Sequence, residues 1–292
     1  MPKITSNKNI TTIETGTGTY TILYGLHVVA QNPDDVPDGI NGIILETGIH
    51  QWLKDPVKTI QKLKNHLQYK LLFDRLEKEQ ISVLFADVKY KYNDFALILA
   101  DNFFTAAEWI GGMRLINQLI RHAAKPQIGF VASLAYGLAG AWLLLPVVSN
   151  MTRLVSSITG EGMEQSARLK KLSHKLHPEA ELLYLSLRNA VIAEKAYHLA
   201  QTYGEKAHIA IVLGAGHVGI EDMLIKSHAE RMNYMKKFQN LLHKIVLPEY
   251  LYAIISMEYN GKEWSIEKNE KVPALEALST VISSQINPSN MT

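Results

Sequence analysis

The sequence predicts an α/β (α+β) protein with a mainly parallel central sheet, flanking helices and terminal β-hairpins. Short β-prone runs alternate with longer segments whose apolar residues recur every three or four positions, as in strands joined by amphipathic helices. The runs at 43–46 and 208–213 are almost entirely apolar, which indicates strands buried on both faces. Two turn signals, Gly16-Thr17-Gly18 and Asn260-Gly261, each separate two β-prone runs and predict hairpins.

Each element follows from a local pattern. Asp55 and Pro56 are typical of a helix start, and the apolar spacing after them predicts one helix from Pro56 to Gln80. Pro178 opens a second long helix, and Gly204 is expected to stop it. The predicted strands are residues 10–13, 19–24, 43–46, 82–86, 208–213, 251–259 and 262–268.

These elements predict a domain that is interrupted by an insertion. Residues 1–95 and 156–270 are expected to form the two halves of one catalytic-type α/β domain. Residues 96–155 form an inserted apolar helical hairpin, and residues 271–292, which are rich in Ser and Asn, form a flexible tail.

The segment from Ile128 to Val148 has no charged residue and is long enough to cross a bilayer. A single crossing contradicts the predicted site, because it would place the site residues before and after the segment on opposite sides of the bilayer. Two interpretations stay open: residues 95–148 form a membrane hairpin, or they form a soluble hairpin buried under the sheet or between copies of the chain. The protein is therefore expected to be either membrane-associated or cytoplasmic.

Composition restricts the kinds of protein and of site. Apolar residues make up 47% of the 292 residues, which is enough for a sizeable core. The absence of cysteine excludes disulfides and thiol nucleophiles, so histidine and carboxylate would have to hold any metal. A net charge of +2 without a Lys/Arg run argues against nucleic-acid binding. Residues 1–10 are polar and do not resemble a cleavable signal peptide.

Four titratable residues lie at the ends of predicted strands: His27, Glu46, Asp87 and His217. Ligands of parallel sheets bind outside the carboxyl ends of the strands, so we expect these side chains to converge. Imidazole and carboxylate bind divalent metals and transfer protons near neutral pH. Glu46 follows three aliphatic residues, and a buried carboxylate needs a partner such as a metal, a histidine or an arginine.

Two further features have alternative interpretations. Arg188 lies beside an apolar stripe of the helix after Pro178, where it either extends to solvent or enters the pocket to hold a carboxylate or an oxyanion. Gly214, Gly216 and Gly219 form a G-x-G-x-x-G motif between a strand and a helix, which is the context of a dinucleotide site. Too little chain follows for a complete nucleotide-binding half, which argues against such a site. Dinucleotide binding is therefore kept only as an alternative.

The order of these motifs resembles the TraB/Tiki (TraB/PrgY/GumN) family. Tyr24 and Val88 stand where the family pattern has other residues. The matching stretches are Leu23–His27, Ile44–Thr47, Leu84–Asp87, Leu187–Asn189 and Val212–Gly219.

The resemblance implies the fold of the wider erythromycin-esterase/ChaN-like group and, for the Tiki branch, a metal-dependent peptidase. We expect a hydrolase acting on a peptide or another small substrate, with His27, Glu46 and His217 holding Mn²⁺, Co²⁺ or Zn²⁺. Glu46 would also activate water, Asp87 would orient a ligand and Arg188 would stabilise developing negative charge. The alternative from another class is a non-catalytic, membrane-associated adaptor of the same fold.

Overall fold

The chain is described as a computed structural model that covers residues 2–7, 10–25, 30–46, 51–91, 163–176, 183–204, 206–214 and 216–280, with residues 145, 148, 149, 151, 152 and 155. It divides into two compact units, one of residues 1–91 and 186–292 and one of residues 92–185. The predicted apolar segment 128–148 lies outside the described residues except at Leu145 and Val148. Among the helices that are described, none has both the length and the apolar character needed to cross a bilayer.

The first unit contains one mixed sheet, and the predicted fold class is confirmed. Its strands are β1 (Lys3–Asn7), β2 (Ile10–Thr15), β3 (Gly18–Gly25), β4 (Gly42–Leu45), β5 (Ser82–Phe85), β6 (His208–Gly214), β7 (Ala253–Tyr259) and β8 (Trp264–Lys271). The strand order is β1-β2-β3-β6-β4-β5-β7-β8. The four central strands β3, β6, β4 and β5 are parallel, and an antiparallel hairpin adds to each side.

The helices that the structure describes are α1 (Pro56–Lys64), α2 (Lys70–Glu79), α3 (Met163–Leu176), α4 (Leu183–Tyr203), α5 (Ile220–Ile225), α6 (His228–Lys237), α7 (Gln239–Ile245), α8 (Pro248–Tyr252) and α9 (Pro273–Thr280). α1 and α2 pack on one face of the sheet, where their apolar side chains meet alternate strand residues such as Ile43, Val83 and Val212.

Two local predictions were wrong. The expected single helix Pro56–Gln80 is broken at Asn65, whose side chain donates to the carbonyl of Gln61 at 2.9 Å. Leu67 and Leu71, which extended the apolar stripe across this break, are 61% and 49% exposed, so they do not require one continuous helix. Part of the expected flexible tail forms α9, because its Leu275 and Leu278 are buried; residues 281–292 lie outside the described part.

The parallel register brings the ends of the central strands to one edge. Gly25 of β3 lies opposite Gly214 of β6, and Leu45 of β4 lies opposite Val212 of the same strand. Glu46, which directly follows β4, and the ends of β3, β5 and β6 are therefore neighbours at this edge.

Helix α4 is buried around its whole circumference from residue 185 to residue 196. Its three charged residues in this stretch, Arg188, Glu194 and Lys195, are at most 7% exposed, so each needs a partner inside the protein. Glu194 accepts from Nε of Arg231 at 2.8 Å, which fixes α6 against α4. Arg188 and Lys195 extend instead toward the carboxyl-end edge of the sheet.

Candidate functional site

Glu46 occupies the centre of the site. It follows β4 directly, and its backbone amide donates to the carbonyl of Val212 at 2.9 Å, so the parallel ladder continues to this residue. Its Oε2 accepts from the backbone N–H of Gly214. Its Oε1 accepts from Nη2 of Arg188 at 2.9 Å and lies 3.1 Å from Nε2 of His217. The carboxylate of Glu46, at the end of β4, therefore contacts both helix α4 and the turn after β6.

His217 is fixed by contacts on both sides of its ring. The turn after β6 is closed by its backbone N–H, which donates to the carbonyl of Gly214 at 3.0 Å. Its Nδ1 lies 2.6 Å from Oδ1 of Asn189 on α4. Nδ2 of Asn189 donates to the backbone carbonyls of His217 and Val218 at 3.4 Å, so Oδ1 is the atom that faces the ring. This network assigns the proton to Nδ1 of His217.

The contact between Glu46 and His217 then requires a proton or a cation between two acceptors. With Nδ1 protonated, a neutral ring presents a lone pair at Nε2, and an ionised Oε1 has no proton to donate. Burial lowers the pKa of His217, and the attraction of Glu46 only partly offsets this, so the ring is neutral near neutral pH. Two such acceptors 3.1 Å apart repel each other unless a proton is shared or a cation binds both.

Asp87 and Arg188 form a buried, bidentate ion pair. Nε of Arg188 donates to Oδ1 of Asp87 at 2.7 Å, and Nη2 donates to Oδ2. Oδ1 also accepts from the N–H of Val88 at 2.7 Å. Burial lowers the pKa of Arg188, but Asp87 and Glu46 together raise it well above its usual value, so the guanidinium stays charged. Of the two interpretations of Arg188, the structure has the one that enters the site.

Tyr69, the residue just before α2, holds the backbone of Glu46 in place. Its hydroxyl donates to the backbone carbonyl of Glu46. Burial, followed by the charges of Glu46 and Asp87, raises the pKa of Tyr69 well above its usual value, so the phenol keeps its proton and remains a donor. The position of Glu46 is thus held at both its backbone and its side chain.

The predicted metal ligands are only partly described. Glu46 and His217 converge as expected, and His27, the third, lies outside the described residues. Among the residues that are described, no group of three or more His, Cys, Asp or Glu side chains is arranged to hold a metal ion. Asp87 was expected to orient a ligand, which stays a prediction; its carboxylate binds Arg188 and the amide of Val88.

No protein-family profile, curated protein or solved structure matches this chain. The resemblance to the TraB/Tiki family therefore stays a prediction, and the chemistry of the site has to be inferred from its own residues.

The glycine motif has features that oppose dinucleotide binding. The N–H of Gly214 is already occupied by the carboxylate of Glu46, where a pyrophosphate would need it. The following helix α5 begins with Glu221 and Asp222, whose charges would repel a phosphate at the helix start. Gly219, just before this helix, has a φ of 95°, so the backbone conformation alone explains why a glycine stands at this position.

Sequence reasoning missed one contributor to the site and one buried charge on the same helix. Asn189 was part of a quoted motif, but no role was assigned to it. Lys195 is fully buried on the same helix face as Arg188 and was not singled out at all. The available signal was their place in a helix that is apolar on every side, where each polar residue needs a buried partner.

Proposed function

We propose that this protein is a divalent-cation-dependent hydrolase in which Glu46 and His217 supply two of the cation ligands. The observation that supports the proposal is the facing pair of acceptors, Oε1 of Glu46 and Nε2 of His217, separated by 3.1 Å. A cation between them would replace their repulsion by two favourable bonds.

The residues fit such a cation. Two ligand atoms at bond lengths of about 2.1 Å are about 3.0–3.4 Å apart in octahedral or tetrahedral coordination, and the observed separation of 3.1 Å falls in this range. A histidine ligand normally donates its other ring N–H to an oxygen, and Asn189 provides that oxygen at 2.6 Å from Nδ1. Nitrogen and carboxylate donors suit Mn²⁺, Co²⁺ and Zn²⁺. His27 is the proposed third ligand.

A bound cation of this kind polarises a scissile carbonyl and makes water easier to deprotonate. The chain's own residues would supply positioning and proton transfer. Glu46, held by Gly214 and Arg188, accepts the proton of the attacking water. Arg188, held in place by Asp87, keeps its positive charge beside the carbonyl oxygen as negative charge develops there. Asn189 keeps His217 in the tautomer that binds through Nε2.

The favoured substrate is a peptide bond, and this choice rests on the resemblance to the TraB/Tiki family. The non-catalytic adaptor remains the alternative for the same fold. A protein that binds the cation through His217 but cleaves no peptide would support the adaptor.

Calorimetric titration of the purified protein with Mn²⁺, Co²⁺ and Zn²⁺ tests the proposal. His217→Ala should abolish the binding of the preferred cation, because it removes a ligand. The matched control is His208→Ala, which removes a histidine from the opposite end of β6, where it contacts Thr21 at 2.9 Å. Equal affinity of the wild type and His217→Ala would refute the site. Cleavage of a peptide library with and without a chelator then tests the reaction.

A further inference from the structure

The turn between α1 and α2 has an exposed half and a buried half. His66 and Leu67 are exposed, whereas Gln68 and Tyr69 have exposed fractions of 0% and 2%. The ring of His66 closes the turn, because its Nδ1 accepts from the backbone N–H of Gln68 at 3.3 Å. Burial of a carboxamide and a phenol is unfavourable unless each makes specific polar contacts. The two buried side chains are therefore expected to serve the structure around them.

Tyr69 contacts the end of β4. The ladder between β4 and β5 has its last pair at Ile44 and Leu84, so the carbonyl of Glu46 lies beyond this ladder. The hydroxyl of Tyr69 donates to that carbonyl. Because Glu46 is a proposed cation ligand, Tyr69 acts directly on the backbone of a ligand residue.

Gln68 lies at the end of β3. Its backbone carbonyl accepts from the N–H of Gln31 at 2.7 Å. A Cβ on Gly25, the last residue of β3, would lie 2.9 Å from Nε2 of Gln68 and 3.0 Å from Oε1 of Gln31. The two carboxamides therefore occupy the space that the absent side chain of Gly25 leaves open.

These two contacts lie on either side of β6, whose end carries the rest of the site. Strand β6 lies between β3 and β4, and His217 belongs to the turn that follows it. Gly25 pairs with Gly214 at the end of β6, and the N–H of Gly214 binds the carboxylate of Glu46. In the sequence, His27 follows Gly25 by two residues. One turn is thus attached both to the strand end that carries Glu46 and to the strand end that leads to His27.

We propose that the turn between α1 and α2 positions the cation ligands, with Tyr69 fixing Glu46 and Gln68 fixing the end of β3. The inference rests on the proposed function, because it requires a cation at Glu46 and His217. Tyr69 and Gln68 are positioning residues and do not bind the cation. Residues that support metal ligands in this way typically change metal affinity about 10- to 100-fold, because they determine how well the ligands fit one ion.

Two tyrosine variants test the contact with Glu46. Tyr69→Phe removes the hydroxyl and keeps the ring, so it should lower Mn²⁺ affinity in calorimetry about tenfold. It should also change the visible absorption spectrum of bound Co²⁺, which depends on the number and geometry of the ligands. Tyr250→Phe is the matched control, because Tyr250 belongs to the same apolar cluster and its buried hydroxyl has no hydrogen-bond partner among the described residues. It should leave the affinity and the Co²⁺ spectrum unchanged.

Two glycine variants test the contact at β3. Gly25→Ala should displace the carboxamides of Gln68 and Gln31, and it should therefore lower Mn²⁺ affinity and alter the Co²⁺ spectrum. Gly16→Ala is the control, because a Cβ there would meet no heavy atom of the described residues within 4 Å. Neither glycine has a positive φ, so backbone strain contributes to neither variant.

The outcomes separate the inference from the proposed function. Tyr69→Phe with the affinity and the Co²⁺ spectrum of the wild type would overturn the inference, even if His217→Ala abolishes binding. Equal effects of Tyr69→Phe and Tyr250→Phe would also overturn it, because any hydroxyl of the core would then matter equally. A silent Gly25→Ala would overturn the part that concerns Gln68. Failure of the proposed function looks different: the wild type would bind neither Mn²⁺ nor Co²⁺, or His217→Ala would bind them equally well, and the inference would fail with it.

Discussion

Replacement of Lys195 by methionine should stabilise the cation-free protein at neutral pH. Methionine has a similar length and fills the same space without a charge, so the variant no longer buries an ammonium. The variant does lose the hydrogen bond from Nζ to the carbonyl of Tyr250, which is worth ~1 kcal/mol. The balance depends on how strongly burial opposes the charge of Lys195.

The magnitude follows from the pKa of Lys195, which is about 7 in the folded protein against an ordinary value of 10.5. The folded state holds this proton more weakly than the unfolded chain, so unfolding takes up a proton between these two pH values. Compared with the variant, the wild type is therefore least stable below pH 7. The difference in free energy of unfolding shrinks as the pH rises toward 10.5. The linkage relation gives a penalty of ~4 kcal/mol at pH 7 and ~1 kcal/mol at pH 9.5. After the lost hydrogen bond is subtracted, Lys195→Met should be more stable by ~3 kcal/mol at pH 7.

Urea unfolding of both proteins at several pH values between 6 and 10, in the presence of a chelator, measures this difference directly. Other titrating groups affect both proteins equally, so the difference in free energy of unfolding isolates Lys195. The exposed Lys206→Met serves as a control and should differ from the wild type by less than about 0.5 kcal/mol at every pH. A difference between Lys195→Met and the wild type that does not change with pH would refute the reasoning.

Three other substitutions test separate parts of the site and of α4. Arg188→Lys should lower the free energy of unfolding by ~2–3 kcal/mol in urea, because an ammonium cannot hold both oxygens of Asp87. An unchanged free energy of unfolding would contradict the bidentate ion pair. Asn189→Leu should lower Mn²⁺ affinity ~10- to 100-fold with an unchanged circular dichroism spectrum, and unchanged affinity would mean that the ring needs no such support. Arg231→Met should cost ~3–5 kcal/mol in thermal or urea unfolding, since Glu194 is left buried without its guanidinium, and adding Glu194→Gln should restore part of this.

Much of the sheet and of its polar edge was predictable from local patterns. A run such as Gly42–Leu45 is apolar on both sides, and such runs occur mainly in parallel strands covered by helices. Once the strands are parallel, the residues after them must share an edge, so Glu46 and His217 could be placed together without knowledge of the strand order. Their actual separation of 3.1 Å depends on that order, in which β6 lies next to β4.

The residues contributed by α4 were harder to predict. A helix that is apolar all round has no preferred direction, so its sequence does not say which side faces the sheet. The choice between a solvent-directed and a site-directed Arg188 therefore stayed open, and Lys195 was overlooked. The break at Asn65 was missed for a related reason: Leu67 and Leu71 continue the helical spacing, although they are exposed in the structure.

The buried charges themselves define how α4 sits on the sheet. Packing of apolar side chains alone would allow the helix to rotate or slide with little cost, because every face offers similar surface. Rotation by one residue would withdraw Arg188 from Asp87 and leave two carboxylates of the same sheet edge, Glu46 and Asp87, buried without a cation. Breaking such a pair costs ~3–5 kcal/mol, a large part of the stability of a typical domain. The same ion pairs that complete the site therefore select one register of α4, and in that register Lys195 lies on the same helix face as Arg188.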